Sequence, residues 1–387
     1  MLRTSLRGLL IVNKLELKKL IEESLRKQGF RFRNGLIQPP RNPTKDRLRQ
    51  LHSVAVAHKI ETAKNGLSRH EDRLIEFFAS GNEVDPARIS PRLVEVKADT
   101  TDELLFRYAS LHWSIPVSSG YGRRLRFLVK DDHNGKVIGI IGLGDPVFAL
   151  GARDRWIGWN RKTAMANLRF VMDAFALGAV PPYSNLLCGK LVAMLAVSKE
   201  ITKAFKRKYG KRESLIGKKN SDARLALITT TSALGRSSIY NRLRYDNLHL
   251  YQPVGFTLGS GEFHFSNGLY GAISAYAQRY CVPTAKREEW GSGFRNRREV
   301  IRKTLLKIGL NDDWMYHGVQ REVFVIPLAS NSREFLKGEH SRLRSFNLET
   351  EELADFFKNR WLLPRSETDQ TYRQWNSQTW RLWPKVP

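Results

Sequence analysis

Arg124-Leu-Arg-Phe-Leu-Val-Lys130 and Lys136-Val-Ile-Gly-Ile-Ile-Gly-Leu143 are two apolar runs joined by Asp131-Asp-His-Asn-Gly135. Asn-Gly between such runs is a strong β-hairpin signal, because both residues accept the positive φ angles of a tight turn. Working outward, Arg92-Leu-Val-Glu-Val-Lys97 alternates as a strand on the N-terminal side. On the other side the pattern predicts a helix over Ala164–Leu177, a turn at Gly178-Ala-Val-Pro-Pro182 and a helix from Cys188 to Tyr209. A buried strand at Leu225-Ala-Leu-Ile228 follows, then Pro253–Thr257 and an edge strand at Glu262–Phe265. Hairpin, helices, strand, helix and strand in this order predict an α+β (mixed α/β) fold, a central mixed sheet packed with helices.

The flanks differ in texture. Apolar stripes predict helices at Lys14–Gln28, stopped by Gly29, and then at Lys45–Ala63 and Arg69–Ala79, with a Pro-rich connector over Arg31–Pro43. The C-terminal part carries Arg295, Arg297, Arg298, Arg302, Lys303 and Lys307 on a helical run. Trp361, Trp375, Trp380 and Trp383 then stand among Arg360, Arg365, Arg373, Arg381 and Lys385. Such a tail suits stacking on bases or docking on a protein surface. The expected organisation is a basic helical module over 1–90, a central domain over 91–280 and a basic, Trp-rich extension over 281–387.

The 387 residues carry 65 Lys and Arg against 38 Asp and Glu, a net charge of +27. That field attracts polyanions, with nucleic acid, DNA favoured, the leading partner and a membrane surface the lesser one, though basicity does not itself select the nucleic acid. The two cysteines exclude a disulfide framework, and the nine histidines show no metal-binding spacing, so no metal or cofactor site is expected. Leu9-Leu-Ile-Val12 is too short for a signal core, which gives a cytoplasmic expectation.

The polar segment Thr229-Thr-Thr-Ser-Ala-Leu-Gly-Arg-Ser-Ser-Ile-Tyr-Asn-Arg242 is the leading site candidate, with Ser237 or Ser238 as the N-cap of a following helix. Arg123, Arg124, Arg126, Arg236 and Arg242 are the candidate phosphate contacts. Thr229, Thr230, Thr231, Tyr240 and Asn241 are the candidate base, sugar or cofactor contacts. The loop Pro116-Val-Ser-Ser-Gly-Tyr-Gly122 leading into the first three arginines suits anion binding. No catalytic residue is assigned. Asp85, Glu95 and Lys97 have the spacing of a PD-(D/E)xK nuclease, a short motif that ordinary strand and turn chemistry also produces. Gly139, Gly142 and Gly144 read as a crowded strand rather than a phosphate loop, since Asp145-Pro146 follows where a helix is required. No Walker A lysine motif is present.

Several long motifs are similar to the DruA family of Druantia anti-phage systems. They are Ser114–Val129, Gly142-Leu-Gly-Asp-Pro-Val-Phe148, Ile157-Gly-Trp159, Leu177–Val192 and Thr229–Arg242. The resemblance covers roughly residues 100–280. It implies a component of a multi-gene defence system acting beside a helicase-like protein and other components. A fainter resemblance is to GNAT acyltransferases, through the Asn134-Gly135 hairpin, Asn185–Lys190 and Tyr251-Gln-Pro-Val-Gly-Phe256. It implies a cleft near Gly189, Lys190 and Tyr240, although Asn185-Leu-Leu-Cys-Gly-Lys190 lacks the full pyrophosphate-binding signature. The reading is therefore a nucleic-acid-binding defence component. The alternatives are a DNA-acting enzyme, by GNAT-like group transfer or nuclease chemistry, and an assembly protein that docks the helicase.

Overall fold

A computed structural model of the chain describes residues 13–41, 43–117, 122–210, 223–266, 268–284, 290 and 294–384. Leu9–Val12, Ser118–Tyr121 of the anion-binding loop and Lys385 lie outside the described residues, as does the side chain of Arg295. The chain forms two compact units. One gathers residues up to Thr62, 114–116 and 258–320; the other gathers 63–113, 117–257 and 321 onward.

In the first unit, α1 (Lys14–Gln28) opens with a capping box. The Asn13 side chain accepts from the Glu16 amide, and the Glu16 carboxylate accepts from the Asn13 amide. Gly29, at φ 97°, ends the helix in the left-handed conformation that glycine tolerates. Leu17, Ile21 and Leu25 are buried, as the stripe requires. The connector folds into a small hairpin, Arg31–Arg33 with Leu36–Gln38. The Gly35 carbonyl at its turn accepts from Trp314 Nε1 at 2.7 Å. The edge strand expected at Glu262–Phe265 is instead a 3-10 turn, Phe263–Phe265. His264 and Phe265 both bury there, and a turn sends adjacent side chains inward where an alternating strand cannot.

The second unit is built on a seven-stranded sheet. Its strands are β1 (Pro91–Glu95), β2 (Arg124–Asp131), β3 (Val137–Gly144), β4 (Val171–Ala179), β5 (Leu227–Thr231), β6 (Gln252–Phe256) and β7 (Glu322–Pro327). The spatial order is β1-β2-β3-β4-β5-β7-β6. All neighbours are antiparallel except β4 and β5, which run parallel. The hairpin forms β2 and β3 as expected, with Asn134-Gly135 in its turn. A Cβ on Gly139 would lie 2.5 Å from the Gly178 carbonyl oxygen, and one on Gly142 would lie 2.7 Å from the Phe175 ring. The glycines of β3 therefore permit close approach, as the crowded-strand reading holds.

The helix expected over Ala164–Leu177 is corrected to a short helix, Arg161–Asn167, followed by β4. Val171-Met-Asp-Ala-Phe-Ala-Leu177 is a short apolar run whose periodicity does not separate strand from helix, and pairing on both edges decides it. The helix expected over Cys188–Tyr209 is two helices, α2 (Cys188–Leu195) and α3 (Lys199–Tyr209), interrupted at Ala196–Ser198. Both contribute to the main core with Met172, Ala174, Phe324 and Ile326. On the opposite face, the helix Thr101–Leu111 covers β2 and β3, while the helix Gly151–Ile157 covers β6 and β7. Trp380 of the tail is buried at the far edge of this unit, stacked on His112 at 3.8 Å and edge-on to Phe78. Among the described residues no helix is long and apolar enough to cross a membrane.

Candidate functional site

The parallel pair is the irregular place in the sheet. β4 and β5 pair only from Val171 with Leu227 to Asp173 with Thr229. β4 then continues along β3 to Ala179, with a register shift opposite Gly142 and Leu143. Carbonyls on the edge that β5 leaves need other donors, since buried backbone groups are costly when unpaired. Two hydroxyls serve. Thr230 Oγ1 donates to the Ala174 carbonyl at 3.0 Å, and the Tyr240 hydroxyl donates to the Leu177 carbonyl at 3.4 Å. Tyr240 is buried and stacks flat on Tyr251, with ring centroids 4.8 Å apart. Burial holds its hydroxyl above the ordinary tyrosine range.

Strand alternation divides the threonine run. The run lies within β5, not beyond it. Thr230, opposite Phe324, faces the core. Thr229 and Thr231, opposite Val325 and Val323, face the other side. There Thr229 Oγ1 donates to Asp173 Oδ1 at 2.7 Å. Burial pushes the Asp173 carboxyl up to about 6, opposed by that hydrogen bond and by the nearby Arg153 charge. Arg153 is fully buried and is held by Asp154 and by the carbonyls of Val147 and Phe148.

After β5 the chain forms turns, which corrects the expected capped helix. Ser237 Oγ accepts from the amides of Ile239 and Tyr240, so the hydroxyl closes a turn rather than opening a helix. Asn241 Nδ2 donates to the Ser237 carbonyl at 2.6 Å. Ile239 reaches Gly189 at the start of α2, where a Cβ would lie 3.3 Å from its methyl group. Tyr240 and Gly189 are thus brought to one region. Lys190 lies 5.4 Å from the Trp361 ring centre, its ammonium held below the usual lysine range by burial and by Arg360.

The five arginines separate by environment. Arg236 and Arg242 are exposed and pair with no carboxylate among the described residues. Arg242 takes the left-handed conformation at φ 66°, and Arg236 lies 5.9 Å from the Phe256 ring centre. Arg124 is also exposed, with its amide donating to the Tyr209 hydroxyl at 2.7 Å. Arg123 is bound to Asp145 at 2.6 Å and to the carbonyls of Arg169 and Val171. Arg126 pairs with Glu103 at 2.8 Å. Of the nuclease-like set, Glu95 pairs with Arg207 and Asp85 accepts from the Ala87 amide. The three-carboxylate grouping among the described residues, Glu200, Glu349 and Glu351, includes neither.

Sequence reasoning missed Asp173 and Arg153. One acid inside Val171–Leu177 was the available signal, because a lone carboxylate in so apolar a run must be buried with a partner or a purpose.

The fold and site define a strongly basic mixed α/β protein whose central parallel pair is wedged open by its own hydroxyls. Against known proteins, the family model described as "DruA: Druantia protein DruA" matches residues 42–338. A similar protein is the Druantia protein DruA of Escherichia coli (strain UMEA 4076-1). It is 43% identical over 366 residues, covering 94% of this chain and 90% of that one. The chain belongs to the DruA family. No solved structure matches it.

Proposed function

We propose that the protein is the nucleic-acid-binding component of a Druantia-type anti-phage system, cytoplasmic, favouring DNA and acting beside a helicase-like partner. The observation that carries this reading is the pair Arg236 and Arg242, two exposed guanidinium groups on the turns after β5 with no carboxylate partner among the described residues. Unneutralised guanidinium on a chain of net charge +27 is the electrostatic footprint of a phosphate-binding surface. Arg124 adds an exposed charge, whereas Arg123 and Arg126 support the strand ends that carry it. The test is binding of the purified protein to single-stranded, double-stranded and forked DNA across a salt series. A steep loss of affinity with salt supports the reading, and no binding at low salt overturns it.

A second reading, group transfer on a GNAT-like sheet, is favoured by one observation, the parallel pair that separates after three residue pairs. Tyr240 and Ile239 occupy the region beside the start of α2 where the resemblance implies a cofactor. Co-purification of an acyl-CoA, read by mass spectrometry, supports this reading. A protein free of one that also fails to bind acetyl-CoA overturns it.

A further inference from the structure

On the sheet face opposite the main core, the helix Thr101–Leu111 covers β2 and β3 and the helix Gly151–Ile157 covers β6 and β7. Between them lie β4 and β5, the centre of the sheet, where full burial is the rule. Here it fails: Asp173, Phe175 and Thr231 all keep partial exposure. Phe175 lies over Gly142 and Gly144, where side chains on β3 would displace its ring. Gly144 is the register partner of Asp173, so ring and carboxylate are neighbours on one face. Trp113, half-buried, packs over Gly178 farther along β4.

Asp173 is the group that the fold leaves unexplained. Its Oδ1 accepts from Thr229, while its Oδ2 takes no hydrogen bond from a described residue. Arg153 is near enough to act by charge, yet its own hydrogen bonds go to Asp154, Val147 and Phe148. That oxygen is not among the buried polar atoms left without a partner, so it opens to the surface and can accept from a ligand. The register shift on β4 beside it is a second irregularity, of the kind that re-aims side chains at sites. A single fixed acceptor next to a flat aromatic surface suits a planar heterocycle that stacks and donates one hydrogen bond.

We propose that this stripe between the two helices is a nucleobase pocket, in which Asp173 Oδ2 accepts a hydrogen bond from the exocyclic amino group of cytosine or adenine. Phe175 supplies the stacking surface and Thr229 fixes the carboxylate. Thymine, with carbonyl oxygens flanking its one N–H, is disfavoured by the charge. The inference rests on the nucleic-acid reading above.

The test is fluorescence anisotropy of labelled oligo(dC) and oligo(dT) of equal length, with the full-length wild type, Asp173→Asn and Asp173→Ala. The two pyrimidine oligomers differ at the base edge, so their backbone contacts are matched. The wild type is expected to bind oligo(dC) about fivefold or more tighter than oligo(dT). The preference should shrink in Asp173→Asn and vanish in Asp173→Ala, with the salt slope unchanged. Thermal melting monitors folding, and if the alanine variant does not fold, the asparagine variant carries the comparison. Equal binding of both oligomers by the wild type, or a preference that the variants retain, overturns the pocket and leaves phosphate binding standing. Failure of the wild type to bind any oligomer at low salt overturns both.

Discussion

Asp173 sits where a carboxylate is expensive. Its ordinary value of 3.8 is raised to about 6 in the folded protein, so the folded state holds its proton over a range in which the unfolded state has lost it. Stability from this group therefore falls as pH rises from about 4 to 6 and stays reduced above that. Asp173→Asn should raise stability at pH 8 by up to about 3 kcal/mol, with the gain gone below pH 4; melting curves across pH read it directly. Tyr240 predicts the opposite sign. Its hydroxyl satisfies the Leu177 carbonyl and its ring stacks on Tyr251, so Tyr240→Phe should cost about 1 kcal/mol and Tyr240→Ala about 3–5 kcal/mol in chemical denaturation. Arg236, Arg242, Thr229 and Tyr240 stood out in the sequence because they follow the apolar run Leu225–Ile228 abruptly. Asp173 did not, because its surrounding residues fit a helix as well as a strand. The partnering of Arg123 with Asp145, 22 residues away, is a tertiary fact that no local pattern carries.

At the scale of elements, legibility followed how strongly local chemistry chose one conformation. The Asn-Gly hairpin and α1 were readable because the turn residues and the Gly29 stop act on their own neighbours and the apolar stripe of α1 marks its buried face. β4 and β7 were not, because their strand character comes from partners on both edges. The glycines of β3 give a test of this account. Gly139→Ala would place a methyl group against the Gly178 backbone of β4, so it should destabilise by about 1–3 kcal/mol. Gly271→Ala, in the helix Leu269–Tyr280 with nothing within 4 Å of the added methyl, should instead stabilise by about 0.5–1 kcal/mol. The tail makes a further case. Buried Glu71 accepts from the Tyr108 hydroxyl at 2.8 Å and from the amides of Leu382 and Trp383. Trp380 lies among Phe78, Tyr108 and His112. Trp380→Ala should therefore lower stability by about 3–5 kcal/mol while leaving the salt slope of DNA binding unchanged. A changed slope with unchanged stability would return that residue to nucleic acid.

For the whole molecule, composition stated the electrostatics and the mixed sheet stated the class, but chain order did not state spatial order. β7 comes from beyond residue 320 yet lies between β5 and β6, and residues 258–320 belong to the other compact unit. The net charge of +27 is a property of the whole chain, and the structure sorts its arginines into paired and unpaired. The unpaired ones after β5, Arg236 and Arg242, are the proposed phosphate contacts. Their role is read in the slope of log affinity against log salt for single-stranded DNA, with the wild type beside Arg236→Ala/Arg242→Ala. The double variant should bind more weakly, with a slope shallower by about 1.4, the loss of two phosphate contacts. Unchanged affinity and slope in a folded double variant would contradict that role.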